Sequence, residues 1–424
     1  MNHATLIFLK LNKMIVRIIY SNLLFSAIFF FSFLATLGLS YSGLESSSSL
    51  LIYSILSSIL AYGFILIGIF RDKGKILLKY LVFYLIPIPI ILSYLWTGNF
   101  SGLAYKTIGL FLLSVVPGIY LAIEISKKDG LKNYENIFLA LAVVITLGIL
   151  RTIPEVLNSP VYEVITLYAG GHYQNMSYFS SLAFIITLTY FSFYSPKKSI
   201  LLALFLLTMM LIQIGGVLAS GGRGGLVVIF VTIVSVLFLR LKFIKTMLLF
   251  VGLVFIVPLI LNLLPLEYLI DNQLVIDRLE RLVSYISSDG LDFSQSSFRD
   301  VFYIQSLEYI SQKPIFGHGF FSIIDNSPEP FFERPGDFYS HNFFLDILLH
   351  GGILFLLFWI VVLSVFFYKI FFILKYEKDQ FMILVPVIYS FTQLMFSGSY
   401  LQETMFWFSV VFVLSYNFQR ESSK

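Results

Sequence analysis

Twelve stretches of this 424-residue chain are long and apolar enough to cross a bilayer, at roughly 14–39, 49–70, 76–96, 104–125, 137–153, 174–194, 199–218, 223–240, 243–264, 341–368, 381–397 and 402–418. A span takes about 20 apolar residues as a helix. Lipid offers the backbone no hydrogen-bond partner, so each span must be helical to satisfy its own N–H and C=O groups. The expected fold is therefore an all-α polytopic membrane protein of about 12 transmembrane helices. Only 12% of the residues are charged, against about 25% in soluble domains. The stretch 137–153 is short, and is expected to tilt or to be extended by its neighbours. Lys10, Lys13 and Arg17 precede an apolar run too long for a signal-peptide core, which predicts an uncleaved first span.

Charge placement orients the helices. With the N-terminus cytoplasmic, 20 of the 28 basic residues fall at cytoplasmic ends, and every cytoplasmic segment contributes. Cytoplasmic connections are enriched in Lys and Arg, so both termini are expected inside. Residues 1–264 then form helices 1–9, 265–340 a large outer (periplasmic or extracellular) loop, and 341–424 helices 10–12. The loop carries 12 acids and 5 bases, and it is far longer than an ordinary connection. Leu279, Leu282, Val283 and Ile286 recur at helical spacing, as do Val301, Ile304, Leu307 and Ile310 after the capping-box form Ser297-Phe-Arg-Asp300. Two amphipathic helices over the outer face are expected. The second should end at Pro314 and the Gly317/Gly319 pair, before a Pro-rich stretch from Pro328 to Pro335.

The residues able to carry chemistry gather on that outer side. In Ala219-Ser-Gly-Gly-Arg-Gly-Gly225, Gly222 and Gly224 let backbone N–H groups approach an anion, while Arg223 offers a two-pronged fork to phosphate. The plain alternative is a tight hairpin with a snorkelling arginine. Arg299, with Asp300, opens the second loop helix. His341 heads a long membrane helix in Tyr339-Ser-His-Asn-Phe-Phe-Leu-Asp, where an imidazole can act as a base, and Asn342 follows it. Further along, Asp346 and His350 stand four residues apart, and a buried structural pair is the reading they favour. His172, Tyr173 and Gln174 enter another span, as sugar-binding groups or as an ordinary interfacial cap. Tyr400 and Glu403 lie in the last outer turn, where Glu403 is either a second acid or base or a structural group. No cysteine is present, which excludes disulfides, thiolate metal sites and cysteine nucleophiles. No metal-binding or serine-hydrolase motif occurs, so no metal and no cofactor is expected. The basic residues are scattered, which gives nucleic-acid binding no support.

Taken in order, the Ser-Gly-Gly-Arg-Gly-Gly turn, the loop-helix arginine, Gly317-His-Gly-Phe and Ser340-His-Asn-Phe-Phe-Leu with its later Gly-Gly-Ile resemble the O-antigen polymerase and O-antigen ligase superfamily. Tyr173-Gln-Asn-Met-Ser and Ser397-Gly-Ser-Tyr-Leu are similar to the polymerase branch. The resemblance implies a glycosyltransferase-C-like fold in the bacterial inner membrane and a metal-independent, inverting glycosyl transfer at its outer face. It implies an undecaprenyl-diphosphate-linked oligosaccharide as donor, with Arg223 and Arg299 on the diphosphate and His341 as base or orienting group for the acceptor hydroxyl. O-antigen or capsule polymerisation is the expected activity, with a chain-length regulator and a flippase as partners. The alternatives are ligation of the glycan to lipid A core and, in a different class, a lipid-linked oligosaccharide flippase or transporter.

Overall fold

In the computed structural model the described residues are 111–127, 130–131, 134–158, 173–194, 199–241, 299–320, 340–396 and 398–417, with isolated positions before residue 111. The expected spans at 14–39, 49–70, 76–96 and 243–264 lie wholly or almost wholly outside them. So do the first loop helix at 279–286, the Pro-rich stretch 328–335, His172 and Gly222, and the side chains of Tyr173, Gln174, Arg223 and Arg299.

Among the described residues the regular structure is helical, without strands. A π-helical turn, Phe111–Val115, leads into α1 (Val116–Lys127), followed by α2 (Glu135–Asn158) and α3 (Tyr173–Thr189), which ends in a second π-helical turn, Tyr190–Tyr194. Next come α4 (Ile200–Ser220), α5 (Arg223–Arg240), α6 (Arg299–Gln312) and α7 (Phe343–Tyr376). A 3-10 turn, Lys378–Ile383, leads to α8 (Leu384–Phe396), and α9 (Thr404–Ser415) closes the series. Five of these stretches are long and apolar enough to cross a membrane: Glu135–Thr152, Met176–Tyr194, Ile200–Ser220, Phe343–Tyr376 and Lys378–Phe396. The short stretch expected at 137–153 is thus extended by its neighbours, because the helix runs on to Asn158.

The segments that the charge pattern assigns to one side meet at one end of the bundle. Phe193 stacks on Phe381 with ring centroids 3.9 Å apart, and the Arg240 guanidinium lies 4.6 Å from the Phe193 centroid. The Tyr194 hydroxyl donates to the Asp379 carbonyl at 2.8 Å, and Leu131 N–H donates to Gln380 Oε1 at 2.6 Å. Lys369 Nζ donates to the carbonyls of Leu414 and Tyr416 at 2.6 and 3.1 Å, placing a cation on the negative end of α9. The C-terminal ends of α1, α3, α5, α7 and α9 therefore converge, and their heads share the opposite end.

Small residues let the helices approach, as packing in lipid requires. A Cβ on Gly216 of α4 would lie 2.6 Å from Ser180 Oγ and 2.7 Å from Ile149 Cγ2, and one on Gly225 of α5 would lie 2.6 Å from the Ser177 carbonyl oxygen. Beside this seam the Gln213 side-chain amide donates to Thr146 and Thr187 at 2.8 and 3.0 Å, tying α4 to α2 and α3. Around α7 and α9 the core is aromatic: Trp359 meets Phe343, Tyr400, Phe406 and Trp407 with centroids 5.5–6.1 Å apart. Such pairs contribute about 0.5–1.5 kcal/mol each beyond their buried area.

Candidate functional site

α7 is not one continuous helix. Gly352 adopts φ 62°, ψ −160°, which breaks it into a nine-residue head and the long segment beyond. The break strands the N–H groups of Ile353 and Leu354 and the carbonyls of Leu349 and His350. The chain after α6 satisfies all four: Ile353 N–H donates to the Pro314 carbonyl at 2.8 Å and Leu354 N–H to Ile315 at 3.4 Å, while His318 and Gly319 donate to Leu349 and His350 at 2.7 and 2.9 Å. The segment that ends the loop helix is thereby tied to the membrane helix through four backbone hydrogen bonds.

This docking sets the rotation of α6. The sequence pattern turned Ile304 and Leu307 inward with Val301 and Ile310, yet Ile304 and Leu307 are 60% and 55% exposed. Ser306 is buried instead, and Phe302 lies against His341 with ring centroids 5.2 Å apart. The reason is that the backbone exchange at residues 314–319 and the Phe302–His341 contact both fix α6 on α7, and they override the helix's own weak apolar stripe. Arg299 begins α6 one turn before Phe302, so His341 sits over the first turn of the helix that Arg299 opens.

His341 is the one non-glycine residue with positive φ (55°) among the described residues. It is half-buried, directly ahead of α7. Asn342 is the N-cap of that helix: its Oδ1 accepts from Phe344 N–H at 3.0 Å and Leu345 N–H at 3.3 Å. On the other flank, Ser340 N–H donates to Asp346 Oδ1 at 2.8 Å, and Ser340 Oγ lies 2.7 Å from the same oxygen. Asp346 is 2% exposed.

The expected Asp346–His350 pair does not form. His350 Nδ1 bonds the Tyr400 hydroxyl at 2.8 Å, and Asp346 turns to Ser340. Tyr400 itself is 1% exposed, packed inside the bundle, and its carbonyl accepts from Trp407 Nε1 at 2.7 Å. Glu403 is the N-cap of α9, half-buried, with Oε1 accepting from Met405 N–H at 3.2 Å.

Arg223 and Gly224 begin α5, and Tyr173 and Gln174 begin α3. These two heads pack together: Gly224 faces the hydroxyl of Tyr178, and Gly225 the backbone of Ser177. The heads of α3, α5, α7 and α9 share one end, so Tyr173, Arg223, His341 and Glu403 all belong to that end. Sequence reasoning missed the Ser340–Asp346 clamp and the backbone exchange at Gly352. Gly317 and the Gly351-Gly352 pair were visible as motifs, but their mutual contact was not. Among the described residues, no group of three or more His, Asp or Glu side chains is placed to hold a metal ion.

The fold is that of a multi-pass helical membrane protein, and the candidate residues lie on helix heads at one end of its bundle. Residues 208–360 match the family model described as O-antigen ligase. That match agrees with the O-antigen polymerase and ligase superfamily resemblance, and the matched stretch contains Arg223, Arg299 and His341. No curated protein and no solved structure matches the chain.

Proposed function

We propose that this protein is a polymerase of a bacterial surface polysaccharide, O-antigen or capsule, acting at the outer face of the cytoplasmic membrane. It transfers a growing glycan from undecaprenyl diphosphate to the non-reducing end of a new lipid-linked repeat unit. The observation that carries this reading is His341 seated on Phe302, one helical turn from the Arg299 head of α6, within the stretch that matches the family.

In the reaction, the bond from the anomeric carbon to the diphosphate breaks and a bond to the acceptor oxygen forms with inversion. The proton of the acceptor hydroxyl passes to His341, and the electron pair leaves with the diphosphate. A departing diphosphate gathers negative charge, and two guanidinium forks neutralise it best in a partly dry site, which is the role of Arg223 and Arg299. His341 needs only to lie within hydrogen-bond reach of the hydroxyl. The bond energy of the lipid diphosphate drives the transfer without a metal or cofactor.

Polymerisation is favoured over ligation by the twin glycines flanking Arg223, since ligases more often carry a serine beside the arginine, and by the Tyr-Gln-Asn-Met-Ser and Ser-Gly-Ser-Tyr-Leu stretches. The test is the envelope glycan ladder of a deletion strain complemented with wild type or His341→Ala. Loss of long chains, with single capped repeats still reaching the surface, supports polymerase. Lipid-linked polymer accumulating while lipid A core stays bare would make the protein a ligase. An unchanged ladder would overturn both.

A further inference from the structure

His341 holds a backbone conformation that L-residues adopt at a cost of order 1–3 kcal/mol, and such strain persists only where the surroundings impose it. Those surroundings close on a single side chain. Asp346 Oδ1 takes both the N–H of Ser340 (2.8 Å) and its Oγ (2.7 Å), while Asp346 N–H donates to the Asn342 carbonyl at 2.9 Å. Ser340 Oγ in turn lies 2.8 Å from the Asn342 carbonyl and 3.2 Å from its N–H. The residues before and after His341 are thus tied to each other and to one aspartate.

Asp346 is a poor choice for plain structural packing. Its Oδ2 is buried without a hydrogen-bond partner, and a buried acceptor left unsatisfied costs about 1–3 kcal/mol. An apolar residue one turn into this helix would avoid that cost. What the carboxylate supplies is two bonds to Ser340 at one oxygen, which fix the turn that points His341 toward the first turn of α6.

We infer that Asp346 is a positioning residue for His341, acting through Ser340 to hold the imidazole at the acceptor hydroxyl. The inference rests on the reading of His341 as the base in glycosyl transfer. Asp346 touches neither glycan nor diphosphate. Its loss lowers the turnover of the bound complex and leaves substrate binding nearly intact.

The experiment measures kcat and KM of purified full-length enzyme on lipid-linked repeat unit extracted from the host's own membranes, for Asp346→Ala, Asp346→Asn, Ser340→Ala, His341→Ala and the double variant Asp346→Ala/His341→Ala. A displaced catalytic group costs up to about 100-fold, so Asp346→Ala should lose about 10- to 100-fold in kcat with KM within about threefold. Asp346→Asn keeps an accepting oxygen and should recover most of that loss. In the His341→Ala background the second substitution should change residual turnover by less than twofold, because Asp346 works only through His341. Wild-type kcat in Asp346→Ala, or a loss confined to the yield of folded protein, would overturn the inference while an inactive His341→Ala left the reading of the base standing. Full activity in His341→Ala would remove the reading itself. Should Asp346→Ala fail to fold, Ser340→Ala decides: a kcat loss of about tenfold supports the clamp, and wild-type kcat overturns it.

Discussion

Gly317 and Gly352 face each other across the junction between the loop helix and the membrane helix, with no room for a side chain on either. A Cβ on Gly317 would lie 2.6 Å from the Gly352 nitrogen, and one on Gly352 would lie 2.7 Å from the Phe316 nitrogen. Both have positive φ, 66° and 62°. The neighbours they would strike are backbone atoms held by the four hydrogen bonds of the exchange, so nothing there gives way.

Gly317→Ala and Gly352→Ala should each separate α6 from α7. The left-handed backbone alone costs about 1 kcal/mol with a Cβ, and the clash adds to it. The chain has no cysteine, so a single cysteine at Ser306, fully buried in the docked α6, reports whether α6 has come away. It should label slowly in the parent and quickly in either glycine variant. Equal labelling rates would mean that the exchange does not hold the loop helix.

Arg223→Lys and Arg299→Lys should each lower kcat/KM at least about 100-fold while the protein still inserts and purifies normally, because a point charge does not replace a planar fork on a diphosphate. Wild-type rates in either variant would remove that arginine from the diphosphate. Turnover should also persist in EDTA, and strong inhibition there would show that a metal ion takes part.

Gln213 bonds two threonines on two other helices inside the bundle. Interhelical bonds of this kind contribute about 0.6–2 kcal/mol in membranes. Gln213→Leu should lower the thermal midpoint in detergent while leaving kcat near wild type, since the residue is fully buried between helices about two turns inside the outer end of α4. A large fall in kcat with an unchanged midpoint would contradict this structural role.

Glu403 caps α9, with Oε1 accepting from Met405 N–H at 3.2 Å. Removing a helix cap costs about 0.5–2 kcal/mol, so Glu403→Ala should lower the thermal midpoint in detergent. Glu403→Gln keeps an acceptor for that N–H and should lower it less. Equal midpoints for wild type and Glu403→Ala would contradict the cap.

Much of the helix series was legible because spans are long and internally bonded. Composition and a 3.6-residue repeat identify them without knowledge of any partner, and α3, α4 and α5 fall within a few residues of the stretches read from the sequence. Alternation of basic ends also told which connections share a side, and contacts among Phe193, Phe381, Arg240 and Gln380 bring those connections together. By the same logic Arg223 and His341, at the starts of helices running the same way, had to lie at one end.

The sequence by itself determined the helical membrane class, the common end of the candidate site residues and the resemblance that names their chemistry. Tertiary structure alone decided the partners. Asp346 chose Ser340 over its helical neighbour His350, which turned to Tyr400, 50 residues away. The break at Gly352 and the face that α6 presents depended on backbone groups 31 to 39 residues distant. Helical periodicity records only what repeats within a turn or two. A stranded N–H or carbonyl takes whichever group the packed fold brings to it, and that choice leaves no local trace in the chain.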